Sequence, residues 1–188
     1  MERYRLVFTG SGGQGVVTAA IILAEAAVMW EGLNAVQSQS YGAEARGGAT
    51  RSDVIISDAH IHYPKVLQPN VLVCLTQEAY NKFSAIIRPG GLLVTDSRYV
   101  KIQRKVDAQQ RELPIYRMVM EKIGRPIVFN ICMLGTLIAL TGLIKPDSIM
   151  KVLETRVPAD FLEMNQKALQ LGMDLAGCAE GEEAARHP

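Results

Sequence analysis

The segment Gly10-Ser11-Gly12-Gly13-Gln14-Gly15 lies between a short β-prone run, Tyr4-Arg5-Leu6-Val7-Phe8-Thr9, and a long apolar stretch. From Gly13 to Trp30, the residues Val16, Val17, Ala20, Ile21, Leu23, Ala24, Ala27 and Val28 recur at helical spacing. A strand that turns through glycine into a helix leaves few folds open. Glu31-Gly32 stops the helix, and Asn34-Ala35-Val36-Gln37 is a second strand. Strand, turn, helix and strand make a β-α-β unit, which implies a parallel sheet with helices covering its faces.

The rest of the chain continues that pattern and then changes it. Thr50 to Ser57 and His60 to His62 flank Asp58-Ala59, which suggests a hairpin at a sheet edge. Val71-Leu72-Val73-Cys74-Leu75 is unbroken and apolar, as a central strand requires. Gln77 to Ile87 reads as a helix ended by Pro89-Gly90-Gly91, and Leu92 to Thr95 as the next strand, with Asp96-Ser97 at its end. Beyond it lie helices: Pro114 to about Ile123, Phe129 to Leu143, one opened by Pro146-Asp147, and an amphipathic one from Ala159 to Ala176. The expected fold is α/β: a Rossmann-like three-layer α/β/α single domain, residues 1–176, with a mostly parallel sheet and a helical C-terminal part. Residues 177–188 read as a flexible tail.

Composition removes several classes of function. A net charge of +1 gives no basic face for nucleic acid, and 6% aromatics leaves little for stacking bases. Cys74, Cys132 and Cys178 are far apart and form no C-x-x-C pair, so neither structural zinc nor an iron–sulfur cluster is expected in this chain. The start of the sequence lacks the pattern of an export signal, and the apolar stretch Ile127 to Ile144 is interrupted by Asn130, two threonines and two glycines. The expectation is a cytoplasmic protein with no membrane partner.

Gly10, Gly12 and Gly15 satisfy G-x-G-x-x-G in the strand–helix context that a dinucleotide site needs, with helix N–H groups available to an anion. The fingerprint is only half met. After the second strand stand Val36, Gln37, Ser38 and Gln39, where a carboxylate for the ribose is required, and no lysine makes the turn a P-loop. Gln14 is bulky for a pyrophosphate site. A turn that needs glycine for packing alone is the competing reading.

Residues 38–49 are small and polar and read as an ordered loop. Within it, Tyr41-Gly42-Ala43-Glu44-Ala45-Arg46-Gly47-Gly48 sets a guanidinium fork beside two glycines, a combination suited to a phosphate or carboxylate. A surface loop with Arg46 paired to Glu44 would look the same. Taken together, the segments Gly12-Gly13-Gln14-Gly15, Ser40-Tyr41-Gly42, Arg46-Gly47-Gly48, Asp53 to Ser57 and Asn130…Leu134-Gly135 resemble the gamma subunit of 2-oxoacid:ferredoxin oxidoreductases.

That resemblance implies a subunit without catalysis of its own. Alpha, beta and ferredoxin-like subunits of the same complex would hold thiamine diphosphate, Mg2+ and [4Fe-4S] clusters. The assembly would convert a 2-oxoacid, coenzyme A and oxidised ferredoxin into acyl-CoA, carbon dioxide and reduced ferredoxin. Within such a subunit, two glycine-rich, anion-friendly loops following the first two predicted strands point to Gly12, Gly13, Gln14, Gly15, Tyr41, Arg46, Gly47 and Gly48 as residues on the coenzyme A path or the subunit interface. An indolepyruvate-type subunit and a free-standing nucleotide-binding protein are the alternatives. Elsewhere, His60 and His62 would share a strand face as two solvated histidines, Asp96-Ser97 serves capping, and Asp107 to Glu112 is a solvated charged face.

Overall fold

The computed structural model describes residues 3–40, 49–103 and 105–186. Its strands are β1 (Tyr4–Gly10), β2 (Asn34–Ser40), β3 (Thr50–Ser57), β4 (Val71–Cys74), β5 (Gly91–Asp96) and β6 (Ala108–Leu113). Its helices are α1 (Val16–Trp30), α2 (Gln77–Phe83), α3 (Ile115–Lys122), α4 (Phe129–Thr141), α5 (Pro146–Arg156) and α6 (Ala159–Arg186). The strands form one sheet in the order β2-β3-β1-β4-β5-β6. β1, β4, β5 and β6 pair in parallel, and β3 runs antiparallel to both β1 and β2. The α/β expectation holds, with a mixed sheet whose single reversed strand is β3.

That strand corrects two expectations. Residues 60–62 are not a strand, so no hairpin forms around Asp58-Ala59. β3 is not an edge either: it lies between β2 and β1, with Leu6 opposite Val54 and Val36 opposite Ile55. The physical reason is in Val54-Ile55-Ile56. All three are buried, Val54 and Ile56 in one core and Ile55 in the other, so the strand is apolar on both faces and belongs inside a sheet. The β-α-β unit survives in direction only, because β3 separates the parallel strands β1 and β2.

The two faces are covered unequally. α1, α3, α4, α5 and α6 pack on one, burying Leu6, Phe8, Val71, Val73 and Val94. α2 with the 3₁₀ turn Ser84–Ile86, together with Val66 and Val100, covers Val7, Leu72, Cys74 and Leu93 on the other. Asp107 to Glu112, expected as a solvated face, is instead mostly β6, an edge strand whose Arg111 and Glu112 give the edge a charged character. The last helix continues to Arg186, past Ala176, through most of the segment expected as a tail. α4 is buried nearly all round, which its uniformly apolar sequence requires. It meets α6 where Gly135 faces the Leu169 backbone and Gly172 faces the Cys132 backbone, and Thr136 Oγ1 donates to the Gly172 carbonyl at 3.0 Å.

The chain path leaves a crevice. From β1 it runs outward through α1 to β2, whereas from β4 it runs the other way through α2 to β5 and on to β6. At such a reversal the connections part, and the carboxyl ends of the flanking strands open toward solvent. The glycine turn leaves β1 there, beside the end of β4.

Candidate functional site

β1 ends at Gly10, Gly12–Gln14 form one 3₁₀ turn, and Gly15 starts α1 with φ +68°. Gln14 holds this corner together. Its Oε1 accepts from the Ser11 amide at 2.9 Å, and its Nε2 donates to the Leu75 carbonyl at the end of β4, also at 2.9 Å. Both ends of the side-chain amide are engaged inside the chain. The bulk that looked wrong for a pyrophosphate site is therefore a strut between β1 and β4.

The four glycines fall into two pairs. A Cβ on Gly10 would lie 2.6 Å from Gln14 Oε1, so this glycine makes room for the strut. Gly15 has a left-handed backbone, and a Cβ there would come within 2.8 Å of Asn130 Nδ2 at the start of α4. Asn130, far away in sequence, thus packs on the turn. Gly12 and Gly13 are different: both are exposed and neither has a positive φ. Around Gly13 nothing lies within 4 Å, and around Gly12 only Thr50 Oγ1 does, at 3.9 Å. Nothing within the described chain requires glycine at these two positions. The first N–H groups of such a turn, and of α1 behind it, also have no partner within the helix.

Beside this open backbone lies a cleft of about 510 Å³, bounded by Gly12, Gly13, Asn130, Ile127, Met164 and Phe161. Its rim is apolar and solvated, with Ile127 72% and Phe161 47% exposed. Ile127 lies in the 3₁₀ turn Pro126–Val128, just before α4 begins at Phe129. Arg156 also borders the cleft and is paired with Glu25 of α1, which holds the Glu25 carboxyl below its ordinary range. Neither the exposed rim nor the meeting of Asn130 with the turn has a signal in sequence periodicity.

The same end of the sheet carries Thr76, which caps α2 through the Ala79 amide at 3.1 Å, and Glu78, which accepts from the Ala49 amide at 3.3 Å. Ser40 and Ala49 flank residues 41–48, so Tyr41, Arg46, Gly47 and Gly48 lie outside the described residues. Asp96 acts as a cap, as the sequence suggested: its carboxylate accepts from the Arg98 amide at 2.8 Å and from the Tyr116 amide at 2.7 Å. Burial pushes that carboxyl above the ordinary aspartate value, and these hydrogen bonds pull it back.

This geometry weakens the dinucleotide reading further. β2 is two strands from β1, about 10 Å at ordinary strand spacing, so any group at its end is displaced from the turn. Gln37 there is engaged with Ser52 Oγ at 2.8 Å. Among the described residues no three His, Cys, Asp or Glu side chains gather to hold a metal ion. The His60 and His62 rings stack edge to face 4.8 Å apart without a third ligand. Burial pushes the Cys74 and Cys132 thiols up to about 12, far from the thiolates that clusters need. The described residues therefore fit neither a [4Fe-4S] cluster nor the Mg2+ of a thiamine diphosphate site.

Residues 5–175 match the family of pyruvate ferredoxin/flavodoxin oxidoreductases. The chain is 42% identical over 176 residues to 2-oxoglutarate synthase subunit KorC of Methanocaldococcus jannaschii, covering 93% of this chain and 94% of that one. Among solved structures it is similar to the gamma subunit of a keto/oxoacid ferredoxin oxidoreductase from Geobacter sulfurreducens PCA. There the identity is 44% and the TM-score 0.85, over 94% of this chain and 99% of that one. It shares its fold with part of the 2-oxoglutarate:ferredoxin oxidoreductase of Magnetococcus marinus, solved with 2-oxoglutarate, coenzyme A and succinyl-CoA bound. That likeness has a TM-score of 0.85 at 21% identity and covers 95% of this chain but 32% of the longer one.

Proposed function

The chain belongs to the pyruvate ferredoxin/flavodoxin oxidoreductase family, and from that premise we propose that it is the gamma subunit of a cytoplasmic 2-oxoacid:ferredoxin oxidoreductase. The match over nearly the full length of a gamma subunit carries this reading. It favours such a subunit over an indolepyruvate-type one and over a free-standing nucleotide-binding protein. The complex takes a 2-oxoacid and coenzyme A to acyl-CoA and carbon dioxide, with electrons passing to ferredoxin. Alpha, beta and ferredoxin-like partner subunits hold the thiamine diphosphate, Mg2+ and [4Fe-4S] clusters that supply the decarboxylation and electron-transfer chemistry. This chain binds and orients, and has no catalysis alone.

Its working face is the corner at Gly12 and Gly13. Exposed glycine backbone at the start of a helix suits the phosphates of coenzyme A, and Arg46 beside Gly47 and Gly48 adds a fork of donors. Gly15 and Gln14 act one step back, by fixing the turn against α4 and β4. The exposed Ile127 and Phe161 are the kind of apolar rim that a partner subunit buries. No described helix is long and apolar enough to cross a membrane.

The test is Arg46→Ala in the reconstituted complex. The expected result is a several-fold rise in the apparent KM for coenzyme A with the KM for the 2-oxoacid unchanged, or a weaker complex by size-exclusion chromatography with light scattering. If coenzyme A kinetics and assembly both match wild type, the role given to this loop is wrong.

A further inference from the structure

The two edge strands of the described sheet are built differently. β6 carries charged residues, a common guard against edge-to-edge pairing. β2, at the opposite edge, lacks that guard. Asn34-Ala35-Val36-Gln37-Ser38 contains neither a charge nor a proline, and it pairs with β3 in unbroken register, without a bulge. The Ser38 carbonyl accepts from Ser52 Oγ on β3 at 3.4 Å, so it points into the sheet. Backbone groups alternate along a strand, which directs the N–H and C=O of Ala35 and Gln37 outward. Val36 between them is half-buried and shares a face with Ile55 opposite it.

α1 extends this edge into a second layer. It packs over β3 and β2, while the end of α4 lies over the sheet's centre, with Leu140 and Leu143 near Tyr4 and Leu92. Thr18, Ile22 and Glu25 of α1 turn toward α5. A separate flank carries Val17, Ile21, Ala24 and Val28, which helical spacing aligns as one stripe. Val17 and Ile21 are half-buried, and Val28 is 50% exposed. The stripe has the same spacing read from either end, so a twofold axis at its middle sets Val17 against Val28 and Ile21 against Ala24.

That middle is level with Val36. The Leu33 amide donates to the Ala27 carbonyl at 3.0 Å, which ties the start of β2 to the end of α1. From there Val36 lies about 10 Å along β2, and about 10 Å back along α1 reaches Ile21. We infer that β2 and the outer flank of α1 form an interaction surface for a second copy of this chain, paired antiparallel about a twofold axis at Val36. Ala35 of each copy exchanges backbone hydrogen bonds with Gln37 of the other, and the two Val36 side chains meet as a non-hydrogen-bonded pair. The apolar stripes of α1 meet above them. A net charge of +1 gives the two copies little mutual repulsion. A contact about 20 Å long, one helix and one strand deep, buries on the order of 1,000 Å² over both copies, near the lower bound of a specific interface. The dimer therefore dissociates on dilution.

The experiment is sedimentation velocity of the full chain over a dilution series starting at about 200 µM. The expected result is a dimer that gives way to monomer on dilution. Val36→Lys sets like charges opposite each other and should raise the dissociation constant about tenfold or more, with the thermal melt unchanged. Val28→Glu, which brings a carboxylate into the apolar contact between the α1 helices, serves with the same criterion should Val36→Lys fail to fold. Hydrogen exchange at the Ala35 and Gln37 amides should slow as the dimer forms and stay fast in either variant. A monomer at about 200 µM, or a dimer that persists in a folded variant, would overturn the inference. Exchange that slows at these amides only when partner subunits are added would assign the edge to another chain, and overturns self-pairing equally. None of these measurements involves coenzyme A, so their outcome is independent of the Arg46→Ala test.

Discussion

Replacing Gly172 with alanine tests how α4 and α6 are joined. A Cβ on Gly172 would lie 2.7 Å from the Thr136 amide nitrogen and closer still to the Cys132 carbonyl oxygen. Both are backbone atoms of a helix buried nearly all round, so no side chain can swing aside. The helices would have to part by roughly 1 Å in an interior packed like a crystal. Overpacking of this kind costs about 1–3 kcal/mol. The parting also stretches the hydrogen bond from Thr136 Oγ1 to the Gly172 carbonyl, 3.0 Å in the native packing, which is worth about 1 kcal/mol. Against this stands the better helix propensity of alanine, about 1 kcal/mol. The net is a loss of about 1–3 kcal/mol, or roughly 2–12 °C in Tm for a domain of this size. Gly13→Ala makes the same chemical change where nothing lies within 4 Å, so it should stay within about 0.5 kcal/mol of wild type. Thermal melts followed by circular dichroism read both variants together. If Gly172→Ala melts within about 2 °C of wild type, or the two fall equally, the close helix contact does not carry the stability assigned to it.

Two further outcomes follow from other sites. Cys74 and Cys132 are buried with thiols pushed up to about 12, by burial above all, while Cys178 is exposed. Native protein treated with iodoacetamide near pH 8 should therefore gain one adduct by mass spectrometry, and rapid gain of two or three would contradict the packing. Glu31 joins the end of α1 to the start of α5, accepting from Ser148 Oγ at 2.6 Å and from the Lys145 amide at 3.1 Å. The Ser148 hydrogen bond, more than any other influence, holds its carboxyl below the ordinary 4.5. The folded value is the lower one, so this contribution is complete above the unfolded value and is lost as pH falls through the folded one. Glu31→Gln should remove on the order of 1 kcal/mol at pH 7 and less at pH 3. An equal loss at both pH values in denaturant titrations would refute the linkage.

How much of this was legible in the residues varies from element to element. The strand–turn–helix at Gly10 to Trp30 and the apolar run at Val71 to Leu75 are local patterns, with periods set by backbone geometry alone. They were therefore readable without any knowledge of neighbours. So was the family resemblance, because its motifs are stretches of adjacent residues. The place of β3 was half legible: Val54-Ile55-Ile56 is apolar on both faces, yet Asp58-Ala59 and the histidines after it suggested a hairpin.

What the tertiary structure decided concerns pairs distant along the chain. Gln14 looked like an obstacle to phosphate until its amide was found bridging Ser11 and Leu75. The glycines of one motif divide into two kinds only because Asn130 presses on Gly15 while space stands open at Gly13. The antiparallel insertion of β3, which no periodicity encodes, moved the end of β2 away from the turn. Repeating local geometry is recorded in the order of residues. Contacts made by chain crossing are not, because they depend on which surfaces finally bury one another.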